Sequence, residues 1–121
     1  MFFYGFTVTF LVIIVATLNG NANWTFKGTL KMANTTASPT QNFPGQKLYA
    51  NITSTGGFEL IVESVDVTGS NGVANFAVNS AQLLTGANNY KVTIFYKGEK
   101  TDDTYYLPST ATSITRRVTV T

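Results

Sequence analysis

From Trp24 to the end of the chain, apolar side chains recur at every second position in short runs broken by turn residues, and no long stretch keeps a helical period. In "YKVTIFY", Tyr90, Val92, Ile94 and Tyr96 fall on one side because successive side chains of a strand point to opposite faces. "QKLYANITS" does the same with Leu48, Ala50 and Ile52, and "WTFKGTLKM" with Trp24, Phe26 and, beyond Gly28, Leu30 and Met32. A strand with one apolar face must bury it against a second layer, so the alternation commits this chain to packed sheets.

The remaining runs fill in the order. "FELIVESVDV" follows a Gly56-Gly57 turn and carries Phe58, Leu60 and Val62, then Val65 and Val67, a change of parity that fits either a bulge or two shorter strands. Asn71-Gly72 is the strongest hairpin signal and leads into a strand with Val73, Phe76 and Val78 near its core. "TSITRRVTVT" forms a last strand through Ile114, Val118 and Val120. "ANTTASPTQNFPG" reads as a loop and "SAQLLTGANN" as the one stretch that suits a helical turn. The expectation is an all-β, antiparallel sandwich of six to seven strands over residues 23–121, with a closed barrel as the alternative and an apolar segment over residues 1–22.

Composition narrows function more than it names it. The chain has no cysteine and no histidine, which removes disulfides, thiolate or imidazole metal sites, cysteine nucleophiles and histidine-based triads. No Ser-x-x-Lys or Gly-x-Ser-x-Gly pattern is present, so no enzyme activity and no cofactor are expected. Charged residues make up 12% with a net charge of +2, and the basic ones are scattered, which argues against a nucleic-acid partner.

Read together, "NGVANFAVNSAQLLTGANNYKVTIFYKGEKTDDTYYLPSTATSITRRVTVT" resembles the end of a bacterial or archaeal Ig-like repeat domain of the kind found in surface adhesins. The matching residues are Gly72, Ala74, Leu84, Gly86, Tyr90, Tyr96, Gly98, Tyr106, Pro108 and Ser109, with "VTVT" closing the domain. "FPGQKLYANITS" is similar to an earlier strand of such domains. The resemblance spans roughly residues 43 to 121 and implies an extracellular spacer, adhesive module or assembly unit. On physical grounds Tyr90 is a packing residue, with its ring buried and its hydroxyl reaching back to a main-chain carbonyl.

Three N-glycosylation sequons begin at Asn23, Asn34 and Asn51, close to the two or three that chance placement of this many Asn, Ser and Thr gives. Asn34 is the one expected in a loop. Asp102, Asp103, Tyr105 and Tyr106 lie in the connection between the last two strands, where a sandwich often presents recognition residues, and are candidates for partner contact.

"FTVTFLVIIVATLNG" carries no charge and admits several readings. It has the length of a signal-peptide core followed by small residues at Gly20 and Ala22, but no basic residue precedes it. Residues 1–18 approach the length of a membrane span. "GFTVTFLVIIVATL" is similar to the start of a type IV pilin tail, with Phe10 where that family carries an acidic residue. Its β-branched residues equally suit a donor strand, with Phe6, Val8, Phe10, Val12 and Ile14 as the assembly face. Two functions follow as expectations. One is a non-enzymatic subunit that self-associates through this segment into a cell-surface filament. The other is a secreted monomer that loses the segment and recognises a glycan or protein through its end loops.

Overall fold

The computed structural model describes residues 2–12, 16–34, 37–101, 104–111 and 113–121. Among the described residues twelve strand segments follow one another: β1 (Phe2–Val12), β2 (Ala16–Leu18), β3 (Asn23–Asn34), β4 (Ala37–Asn42), β5 (Tyr49–Ser54), β6 (Glu59–Glu63), β7 (Val73–Asn79), β8 (Gly86–Tyr96), β9 (Glu99–Lys100), β10 (Thr104–Tyr106), β11 (Ser109–Thr110) and β12 (Ile114–Val120). One sheet runs β4-β3-β1-β10-β9 with β7 also on β3, and the other β2-β12-β8-β5-β6 with β11 also on β8. The fold is all-β in two layers, but the sheets are mixed where antiparallel ones are expected, because the N-terminal segment adds β1 parallel to β10 and β2 parallel to β12. The segments outnumber the six or seven strands expected because residues 2–12 and 37–42 are strands as well and four short pieces of two or three residues pair alongside longer ones.

The long strands obey the alternation. Leu48, Ala50 and Ile52 of β5 and Tyr90, Val92, Ile94 and Tyr96 of β8 are buried, and they face Trp24, Phe26 and Leu30 of β3. The Phe26 and Phe76 rings stack at 4.9 Å, and Trp24 meets Tyr90 at 6.2 Å. Each such large side chain, fully buried, contributes about 1.5–3 kcal/mol. Gly28 keeps the period but leaves the volume to the facing layer, since a Cβ there would lie 3.1 Å from both Ile94 Cγ2 and Leu48 Cδ1.

Several local expectations change. The stretch after β3 is not wholly loop: β4 pairs with β3, Lys31 opposite Asn42 and Met32 opposite Gln41. Pro39 falls where the β3–β4 register slips, between the Met32–Gln41 and Asn34–Ala37 pairs of an edge strand, a place where a residue without an N–H is tolerated. Asn71-Gly72 does not close a hairpin between paired strands, because β6 and β7 belong to different sheets. It ends a crossover, in which Gly72 takes φ +76° and donates to the Gly69 carbonyl at 2.8 Å. The core phase of β7 is Ala74, Phe76 and Val78, with Val73 half-buried. The parity change after Val62 is the end of β6. Ser64 and Thr68 turn inward while Val65 and Val67 turn out.

That crossover is held by polar bonds. Ser64 Oγ accepts from Leu48 N (3.2 Å) and donates to the Asp66 carbonyl (2.6 Å). Thr68 Oγ1 accepts from Gln46 N (2.9 Å) and donates to the Phe43 carbonyl (2.6 Å). Both hydroxyls are buried and satisfied, as burial requires. The expected helical turn is a single 3₁₀ turn at Ser80–Gln82, capped by Asn79 and Gln82.

Candidate functional site

The apolar N-terminal segment lies within the domain's own sheets. β1 runs antiparallel to β3, from Tyr4 opposite Asn34 to Phe10 opposite Gly28, with a register slip before Val12. Its other edge runs parallel to β10, Phe2 opposite Thr104 and Tyr4 opposite Tyr106. Val8 is buried in the core. For Phe6, Phe10 and Val12 the described feature is this backbone pairing, and Ile14 lies outside the described residues. β2 then joins the other sheet, parallel to β12, and places Leu18 in the core.

The connection after β8 meets that segment. β9 and β10 form a small hairpin, closed by Thr101 N on the Thr104 carbonyl at 2.8 Å, and among the described residues β10 has β1 and β9 as neighbours. Gly98 starts it at φ +83°, where a Cβ would fall 2.5 Å from the Tyr106 carbonyl oxygen. Asp102 and Asp103 lie outside the described residues. Tyr105 pairs through its backbone with Lys100 and Phe3. Tyr106 is half-buried, its ring 5.2 Å from that of Phe43. Two regions that the sequence offers separately, the apolar segment and the "GEKTDDTYY" connection, thus share one sheet.

Beside the hairpin lies a cleft of ≈ 230 Å³ lined by Gln46, Lys47, Tyr49, Tyr96, Lys97 and Glu99. It forms where the approach to β5 runs beside the exit from β8. Lys97 Nζ sits 4.0 Å from the Tyr49 ring centroid, and Phe95 stacks on Tyr49 at 5.6 Å. The Tyr96 hydroxyl donates to Gln46 Oε1 at 3.2 Å. Burial, then the Glu99 carboxylate and Tyr106, push the Tyr96 phenol up to about 12, so it stays protonated near neutrality. Lys47 Nζ donates to the Ser64 carbonyl at 2.9 Å and lies 3.8 Å from Glu63 Oε1. Two ammonium groups, a carboxylate, an amide and a neutral phenol suit hydrogen bonding to a polar ligand. Sequence reasoning missed this cleft. Its available signal was that Tyr49 and Phe95 stand on the polar phase of their strands.

Tyr90 is buried, and its hydroxyl does reach back, but it accepts from Leu84 N at 3.0 Å where a carbonyl contact is expected. Its pKa is raised by burial, partly offset by that bond. Of the sequons, Asn23 is exposed and accepts from Asn79 Nδ2 at 3.2 Å. Asn34 is paired through its backbone at the end of β3, with Thr35 and Thr36 outside the described residues. Asn51 is half-buried in β5 between β6 and β8, its Oδ1 enclosed without a hydrogen-bond partner. Among the described residues no helix is long and apolar enough to cross a membrane. Compared with known proteins, the chain matches no family model, no curated protein and no solved structure.

Proposed function

We propose that this chain is a non-enzymatic extracellular subunit, an Ig-like β-sandwich that joins copies of itself into a cell-surface filament or adhesive layer through its N-terminal strand. Support for the Ig-like reading is the strand arrangement. β3 pairs with β7 in one layer, β12, β8, β5 and β6 follow one another in the other, and the N-terminal segment divides between the two layers. A variable-type Ig sandwich is built on the same plan.

The observation that carries the assembly reading is the position of β1, an apolar strand at the start of the chain flanked on both edges, by β3 and by β10. Its ladder consists of main-chain bonds that the β1 of a neighbouring copy can make as well, and exchange of an identical element is a low-cost route to association. Val8 and Leu18 add core contacts that a chain starting near Asn23 would lack.

A second reading, a secreted monomer that binds a polar ligand such as a glycan, is favoured by the cleft at Tyr49, Lys97 and Glu99. Intact mass of the protein from its native source, with electron microscopy of the same sample, separates the two. Filaments containing residues 1–22 support assembly. A monomer lacking them overturns it in favour of the secreted module.

A further inference from the structure

We infer that the outer edge of β6 is a docking site for an extended, basic segment of a partner protein, which adds to the second sheet as one more strand. β6 ends its sheet, with β5 as its neighbour among the described residues. Hydrogen bonds from Ser54 N to the Phe58 carbonyl (3.1 Å) and from Ser64 N to the Leu48 carbonyl (2.8 Å) set the parity of the β5–β6 ladder. With Leu60 opposite Ile52 and Val62 opposite Ala50, the main-chain groups of Leu60 and Val62 face β5. Those of Glu59, Ile61 and Glu63 therefore point out of the sheet, leaving three consecutive open rungs.

The edge of β7 is treated differently. Val73 N–H donates to Asn71 Oδ1 (3.1 Å) and the Val73 carbonyl accepts from Gly69 N (3.1 Å). The Asn75 carbonyl accepts from Val65 N (2.8 Å) and Asn75 N–H donates to Asp66 Oδ1 (2.7 Å). Asn79 N–H is taken by Gln82 Oε1 (3.1 Å). Main-chain and side-chain groups of the chain itself thus cover the β7 edge at Val73, Asn75 and Asn79, with Ala77 between them, whereas the β6 edge has no such cover among the described residues, although open edges invite pairing.

Two further observations point to a ligand and to its chemistry. Of four large apolar side chains exposed among the described residues, Ile61 (57%), Val65 (60%) and Val67 (48%) lie in one stretch along and just beyond this edge. Carboxylates flank it: Glu59 and Glu63 are exposed on the same side as Ile61, Glu63 with Lys47 Nζ 3.8 Å from its Oε1, and residues 59–66 hold three acidic and no basic residues in a chain whose net charge is +2. A second copy is a poor occupant, because antiparallel pairing centred on Ile61 sets Glu59 opposite the other copy's Glu63, and like charges directly opposite destabilise a pair. The fitting segment has Lys or Arg at two positions four apart and an apolar residue between them. Main-chain rungs then supply affinity and the ion pairs supply register.

The test uses the full chain and a labelled, terminally blocked peptide Thr-Lys-Thr-Val-Thr-Lys-Thr, with a version carrying Glu in place of both Lys as control. Fluorescence anisotropy is expected to show saturable, salt-sensitive binding of the Lys peptide at least about tenfold tighter than the Glu peptide. Amide exchange at Glu59, Ile61 and Glu63 is expected to slow by about tenfold or more, with Ala77 unchanged. Ile61→Pro removes an outward N–H without touching the β5 ladder and is expected to abolish binding. Glu59→Lys with Glu63→Lys, the second variant, is expected to reverse the peptide preference. Equal binding of the two peptides, unchanged binding by Ile61→Pro, or self-association through β6 without peptide binding would each overturn the inference.

Discussion

Leu18→Ala measures how firmly the N-terminal segment belongs to the folded domain. Leu18 is 4% exposed and sits on β2, which pairs parallel with β12 from Val118 to Val120. Truncation removes three carbons, about 2.4 kcal/mol of transfer free energy at roughly 0.8 per buried methylene, and leaves a cavity that adds to it. Because β2 is a three-residue edge strand, its surroundings can partly collapse, so the expected loss is at the low end of the range for such changes, about 3 kcal/mol. Urea unfolding of the full chain should show a lower midpoint with an unchanged slope, and thermal unfolding a fall of about 10 °C. Ile61→Ala, on a side chain 57% exposed, is the control and should stay within about 0.5 kcal/mol. A Leu18→Ala protein as stable as that control would refute the docking of β2 and, with it, the argument that the N-terminal segment is part of the sandwich.

Gly28→Val should destabilise by about 1–3 kcal/mol in the same assay, because the new side chain is forced onto Ile94 and Leu48 of the facing sheet. Stability equal to wild type would mean that the sheets are not in contact there. Tyr90→Phe leaves the buried ring but strips the partner from Leu84 N, an expected loss of about 1–2 kcal/mol. Alkaline titration followed by tyrosinate absorbance and circular dichroism should show Tyr96 resisting ionisation until the fold is lost. Its phenol ionises near 12 when folded and about 10 when unfolded. Its contribution is therefore complete below pH about 10 and disappears as pH rises toward 12, by up to about 3 kcal/mol. Tyr96→Phe should flatten that part of the stability profile.

Much of the sandwich is legible in the chain. Leu48, Ala50 and Ile52, and Tyr90 to Tyr96 at every second position, are buried as their spacing requires, since alternation is a local property of an extended backbone. Asn71-Gly72 misleads because a turn residue specifies its own φ and says nothing about which strand the chain joins next. The cleft is illegible for a related reason. Gln46 and Glu99 lie 53 positions apart, and only the β5–β8 register brings their segments together.

The N-terminal run marks the division. By itself the sequence determined that residues 6–18 are apolar, uncharged and rich in β-branched residues, and that the rest of the chain must stack sheets without disulfides, thiolate or imidazole ligands, or histidine chemistry. Tertiary structure alone decided that β1 pairs with β3 on one edge and β10 on the other, that Tyr106 turns toward Phe43, and that β6 is left with an open edge while β7 is covered at Val73, Asn75 and Asn79. Apolarity says that a segment leaves water, but which partner receives it depends on main-chain groups left unpaired elsewhere in the chain, and those are known only once every strand has found its neighbour.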